Sequence, residues 1–191
     1  MKPSVPFIIY CLLLFCTGCS NKEHSQELNM IDSLIKELKQ LSQNSRNIQL
    51  DSMKEAQIHI NKQCSILDTF GYDPVQNTEQ KKTIDGYRFL KNALKNNRKT
   101  YQEIQSEIAF SENQLTDLKT DIKNNQLSSE EFDQYFSDES NALEELAKKI
   151  SVNQKNIRHY LEVYKLLHHK IVSITDSLLQ SNQNPLKDSG S

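Results

Sequence analysis

The chain reads as an all-α protein, an elongated antiparallel three-helix coiled-coil bundle that follows a cleaved signal peptide. Three observations carry this reading. Apolar residues recur every seven positions over long stretches, the 191 residues include only four Gly and four Pro, and an apolar leader precedes the first periodic segment. Strands and frequent loops need turn residues, so their scarcity leaves a few long elements. Apolar spacings of three, four and seven put those side chains on one helix face.

The leader comes first. Met1-Lys2-Pro3-Ser4 carries one positive charge, and the apolar run from Val5 to Phe15 (VPFIIYCLLLF) follows it. That is the n-region and h-region of an export signal. A spanning helix needs roughly 20 apolar residues, and this run meets Thr17 and Gly18 sooner. The junction Phe15-Cys16-Thr17-Gly18-Cys19 resembles the lipobox of bacterial membrane lipoproteins, with Cys16 standing where Leu is usual. The resemblance implies a signal peptide over 1–18, a lipid such as palmitate on Cys19, and a membrane as partner through that lipid. It further implies a cell-envelope location, with the outer membrane favoured in a Gram-negative source because Ser20 rather than Asp follows the lipid-bearing Cys. It covers only the leader and is silent on the body. Cys16-x-x-Cys19 also has redox-pair spacing, but such a pair needs a strand and helix to hold it, and this one ends an export segment.

Residues 19–26 then form a short polar tether. The first helix is expected over 27–68, with apolar positions at Ile31, Leu34, Leu38, Leu41 and Ile48, a phase shift near Gln49 to Ser52, and a resumed pattern at Met53, Ile60, Cys64 and Leu67. Gly71 and Pro74 mark a chain reversal. Asn77 and Gln80 have the spacing of a cap for the second helix, expected over 78–124. Its seam is Tyr87, Leu94, Tyr101, Ile108, Leu115 and Ile122, seven apart throughout, while the companion positions Leu90, Asn97, Ile104, Ser111, Leu118 and Asn125 alternate apolar with polar. Ser128-Ser129-Glu130-Glu131 offers a capping box for the third helix over 129–181. Its seam runs Phe136, Leu143, Ile150, Ile157, Tyr164, Ile171 and Leu178. Residues 182–191 read as a disordered tail.

At 1.5 Å per residue these helices would run about 60 to 80 Å, too long to bury a stripe alone. The short link Asn124 to Leu127 makes the second and third antiparallel neighbours, bringing Tyr101 near Ile150, Leu94 near Ile157, and Tyr87 near Tyr164 and Leu167. The start of the first helix then shares an end with the Asn125 turn, and the Phe70 turn lies at the other end.

Loss of residues 1–18 would leave 22 basic and 25 acidic residues. Neither sign dominates those totals, so neither a nucleic-acid partner nor a polybasic membrane patch is expected. Of the four cysteines only Cys64 stays a free thiol in the processed chain, on an apolar stripe where it packs as a small hydrophobe, an intermolecular disulfide being the alternative.

Candidate sites are few. Phe70, Tyr72, Pro74 and Val75 place aromatic and apolar surface at the reversal, as a plug for the bundle end or a protein-contact site. His159 and His168 fall on nearly opposite sides of one helix, so they and His169 read as an exposed flank and not as a metal site. Glu130, Glu131 and Asp133 sit where a helix N-terminus favours negative charge. Tyr87, Tyr101, Tyr160 and Tyr164 follow the core period. Asn97, Ser111, Asn125 and Asn153 either fix register from within the core or face solvent. No zinc-protease, phosphate-loop or nucleophile-elbow pattern occurs, so no catalytic residue, metal or cofactor is assigned. The expected function is a non-enzymatic, envelope-anchored spacer, tether or protein-interaction module with an unknown protein partner. A second copy could seal the perforated seams, and the alternative is a periplasmic holdase or assembly factor using coiled-coil arms.

Overall fold

Residues 24–70 and 78–183 are described in a computed structural model, and they form four α-helices: α1 (Ser25–Arg46), α2 (Leu50–Thr69), α3 (Thr78–Lys123) and α4 (Ser129–Gln183). The architecture is the all-α bundle that the seven-residue repeat predicts, and no strand occurs among the described residues. The leader, the 71–77 reversal with Asn77, and the tail from 184 lie outside them.

The one expected first helix is two. Apolar positions up to Ile48 and from Met53 onward are out of phase by one residue, so a continuous helix would turn one of the two stripes away from the core. The chain absorbs the extra residue at Asn47-Ile48-Gln49. The Leu50 amide donates to the Ile48 carbonyl at 2.7 Å across Gln49, whose φ of −74° and ψ of 62° make an inverse γ-turn. Ile48 thereby stays buried. Carbonyls at the end of α1 would be left without partners. The Gln154 side chain donates to the Asn44 carbonyl at 2.7 Å, and Gln105 donates to the Ser45 hydroxyl at 3.0 Å.

The contacts divide into two units. Among the described residues, unit 1 comprises 24–41 and 107–146, and unit 2 comprises 42–70, 78–106 and 147–183. In unit 1 the start of α1 packs through Ile31 against Leu118, Ile122 and Phe132, next to the turn between α3 and α4, and Lys119 pairs with Asp32. That is the end-to-end placement the helix order predicts. In unit 2 the α2 stripe of Met53, Ala56, Ile60, Cys64 and Leu67 meets Ile84, Tyr87, Leu90 and Leu94 of α3 and Ile157, Leu161 and Ile171 of α4. Tyr87 and Tyr164 stack with centroids 6.4 Å apart, and Gly86 lets α4 approach closely, since a methyl there would meet Leu167 at 3.3 Å.

Helix ends are made as the local chemistry dictates. Asn125, which continues the companion seam and also falls in the link to the third helix, is an exposed turn residue with φ of 52°. The Gln126 amide donates to Asp121 O at 2.9 Å and the Asn125 amide to Ile122 O at 3.1 Å, the paired bonds of a Schellman C-cap. Asn tolerates the left-handed region better than a branched residue would. The capping box then starts α4: the Ser128 amide donates to the Glu131 carboxylate at 2.9 Å, and the Glu131 amide to the Ser128 hydroxyl at 3.3 Å. These bonds, the backbone one foremost, hold the Glu131 carboxyl below the usual glutamate range.

Candidate functional site

Of the residues singled out from sequence, Cys19, Tyr72, Pro74 and Val75 lie outside the described residues. Phe70 closes α2: its amide donates to the Ile66 carbonyl at 3.1 Å and its side chain is half-buried. Cys64 is 2% exposed within the unit 2 core, and burial pushes its thiol up from the usual range.

His168 does not belong to an exposed flank. It stands four residues after Tyr164, on the side of α4 that faces α2, and its Nδ1 shares a 2.7 Å hydrogen bond with the Tyr87 hydroxyl. His59 of α2, which no apolar spacing singles out, shares a 2.7 Å bond with the Tyr164 hydroxyl. The two imidazoles stack at 5.2 Å with their planes 9° apart. Two tyrosine–histidine bonds therefore tie the three helices of unit 2 at one level. Burial raises Tyr87, with the neighbouring Tyr164 and Cys64 adding to it, and burial followed by His59 and His169 lowers His168. Both groups are thus kept neutral near pH 7. His159 and His169 are exposed as expected.

Two of the seam asparagines are core residues. Asn153 is 1% exposed; its Nδ2 donates to the Asn97 carbonyl at 3.0 Å and to Asn97 Oδ1 at 3.3 Å, while Asn97 Nδ2 donates back to Ala93 O at 2.8 Å. The buried Asn153 Oδ1 has no partner. A cleft of about 310 Å³ beside the pair is lined by Thr100, Val152 and Asn156. A second polar link joins α4 to α2, where the Thr175 hydroxyl donates to Gln63 Oε1 at 2.7 Å.

Charge supplies the feature with the widest reach. The near-neutral total conceals two strongly charged units. Over the described residues, unit 1 holds four Lys and Arg against fourteen Asp and Glu, a formal −10, whereas unit 2 holds sixteen against eight, a formal +8. The whole-chain totals, in which neither sign dominates, sum over this division. In unit 1 a cleft of about 250 Å³ is lined by Asp117, Asp121, Tyr135 and Glu139. Burial, with Asp138 behind it, raises the Glu139 carboxyl, as expected where anions already crowd. Both units also expose large apolar side chains: Phe110 and Tyr135 on unit 1, and Ile58, Phe89, Val152 and Leu166 on unit 2. Scattered single hydrophobes are ordinary, while aromatic residues are enriched where proteins contact one another.

Among the described residues no three His, Cys, Asp or Glu side chains converge on a metal position, and no helix is long and apolar enough to cross a membrane. No protein-family model, curated protein or solved structure matches this chain.

Proposed function

We propose that this chain is a lipid-anchored, non-enzymatic interaction module of the cell envelope, held to its membrane through Cys19. The observation that carries the anchor is the sequence Val5 to Cys19, an apolar export run closed by Thr17-Gly18-Cys19. What favours binding over catalysis is where the interior polar groups go. Asn97 with Asn153, Gln63 with Thr175, and Tyr87 with His168 each join one helix to another, so their hydrogen-bonding capacity serves assembly of the bundle. The charged outer surfaces and the exposed aromatic residues are what a partner would meet.

The anchor is tested by intact mass and detergent phase partition of the full chain made in a lipoprotein-processing bacterium, beside Cys19→Ala. A diacylglyceryl-bearing form that begins at Cys19, enters the detergent phase and disappears in the variant is the expected result. A water-soluble, unmodified product from both chains would overturn it.

A further inference from the structure

The charge division has a feature that folding of one copy does not require. In unit 1 the stretch of α3 from Glu107 to Lys123, with four acids against Lys119 and Lys123, shares the unit with the acidic start of α4, which carries Glu130, Glu131, Asp133, Asp138, Glu139, Glu144 and Glu145 and no basic residue before Lys148. In unit 2 the basic stretch of α3, Lys81 to Lys99, lies against Lys148 to Lys170 of α4. Each unit thus gathers a surplus of one sign, even though the ion pairs between its helices, such as Lys119 with Asp32 and Arg88 with Asp68, join opposite charges. A hairpin selected only for its own stability would pair opposite signs, because like charges facing each other across a packed interface are unfavourable. Cross-helix ion pairs such as Lys149 with Glu103 and Lys170 with Glu79 use some of the few acids of unit 2, and a large basic surplus is left.

We propose that the basic face of unit 2 docks the acidic face of unit 1 on a second copy of this chain. Complementary sign is the warrant, −10 on one unit against +8 on the other, and each copy carries both halves of the interaction. Exposed hydrophobes on both units, Phe110 and Tyr135 on one and Phe89, Val152 and Leu166 on the other, provide the apolar centre that charge alone cannot, with the lysines and carboxylates as a polar rim. A membrane of anionic lipid or a nucleic acid would satisfy unit 2 but would leave unit 1 without a partner; a second copy satisfies both. The inference rests on reading the body as an interaction module and is independent of the lipid on Cys19.

The test is sedimentation velocity of the full chain in a mild non-ionic detergent, over a range of protein concentration and from low to high salt. Dimers that form at low salt and dissociate near 0.5 M, where screening reaches only about 4 Å, are expected. Lys155, Arg158 and Lys165 are exposed on unit 2, and Glu112, Asp133 and Glu145 on unit 1. Reversing either trio (K155E/R158E/K165E or E112K/D133K/E145K) should weaken self-association by about tenfold or more, and mixing the two variants should restore it. Helicity by circular dichroism shows whether each variant is folded, and the salt series on the unaltered chain stands without them. A monomer at every salt concentration, a dimer indifferent to either reversal, or binding to phosphatidylglycerol vesicles or DNA without self-association would overturn the proposal. The anchor reading would survive any of these, since Cys19 acylation is measured separately.

Discussion

Replacing Asn97 and Asn153 together by leucine should stabilise unit 2. The pair is almost wholly buried, yet the Asn153 Oδ1 has no partner. A stranded buried acceptor costs about 1–3 kcal/mol, while each of the three bonds lost with the pair, two from Asn153 Nδ2 to Asn97 and one from Asn97 Nδ2 to Ala93 O, returns about 0.5–1.5 kcal/mol net, with the 3.3 Å bond at the weak end. Those contributions nearly cancel, so the apolar burial of two leucines decides the sign, and the adjoining cleft gives them room. The net expectation is a gain of about 1–3 kcal/mol for the double variant, and about 2–4 °C in melting temperature for each kcal/mol. Asn153→Leu alone relieves one acceptor and strands another, Asn97 Oδ1, so it should lie within about 1 kcal/mol of the parent. Thermal and urea unfolding of the parent, both single variants and the double variant give the coupling energy directly. A double variant less stable than the parent by more than about 1 kcal/mol would refute this reasoning, and would mean that the asparagine pair is fully satisfied. A buried polar pair also sets the register between helices, so the stabilised variant should show a more heterogeneous amide spectrum.

Acid should weaken unit 2 in a window of its own. With the folded His168 held below its ordinary value, the unfolded chain binds the extra proton first, so stability is lost as pH falls below about 6.5 toward the folded value. Unfolding midpoints at pH 7.5 and 5.5 should differ in the parent and differ less in His168→Gln. The Glu131 contribution behaves alike but lower down, being present above the usual glutamate range and lost as pH falls through its depressed value, so the two are separable by pH alone. At the Asn125 turn, Asn125→Gly should be neutral or mildly stabilising, and Asn125→Val should cost about 1–2 kcal/mol by thermal unfolding, because a β-branched residue is strained at positive φ.

Much of the fold was legible because its cause is periodic. The seams of α3 and α4, the Ser128 to Glu131 cap and the Tyr87–Tyr164 layer follow from seven-residue spacing and one four-residue pattern. The break between α1 and α2 was half visible: the phase shift near Gln49 is in the residues, but whether a helix bends through such a shift or stops depends on partners such as Gln105 and Gln154, which are distant in sequence. His168 was misplaced for a related reason. Two seam positions describe a helix with one partner, whereas α4 meets both α2 and α3, so the flank beside Tyr164 is partly covered. Asn125 takes the turn role that the link Asn124 to Leu127 offers it, its own conformational preference prevailing over the heptad it extends. The charge division was present in the sequence all along, and it disappears when Lys, Arg, Asp and Glu are summed over the whole chain instead of over the halves that fold together.

The burial of Cys64 has a practical consequence. Among the described residues it is the one free cysteine, fully enclosed by the unit 2 core. A thiol reagent reacts with the thiolate, which burial disfavours here, and must also reach the sulfur. Modification of Cys64 therefore waits for the core to open, and its rate under native conditions counts those openings. Among the described residues Cys64 is thus a clock for the breathing of the unit 2 interior, placed one helical turn from Ile60.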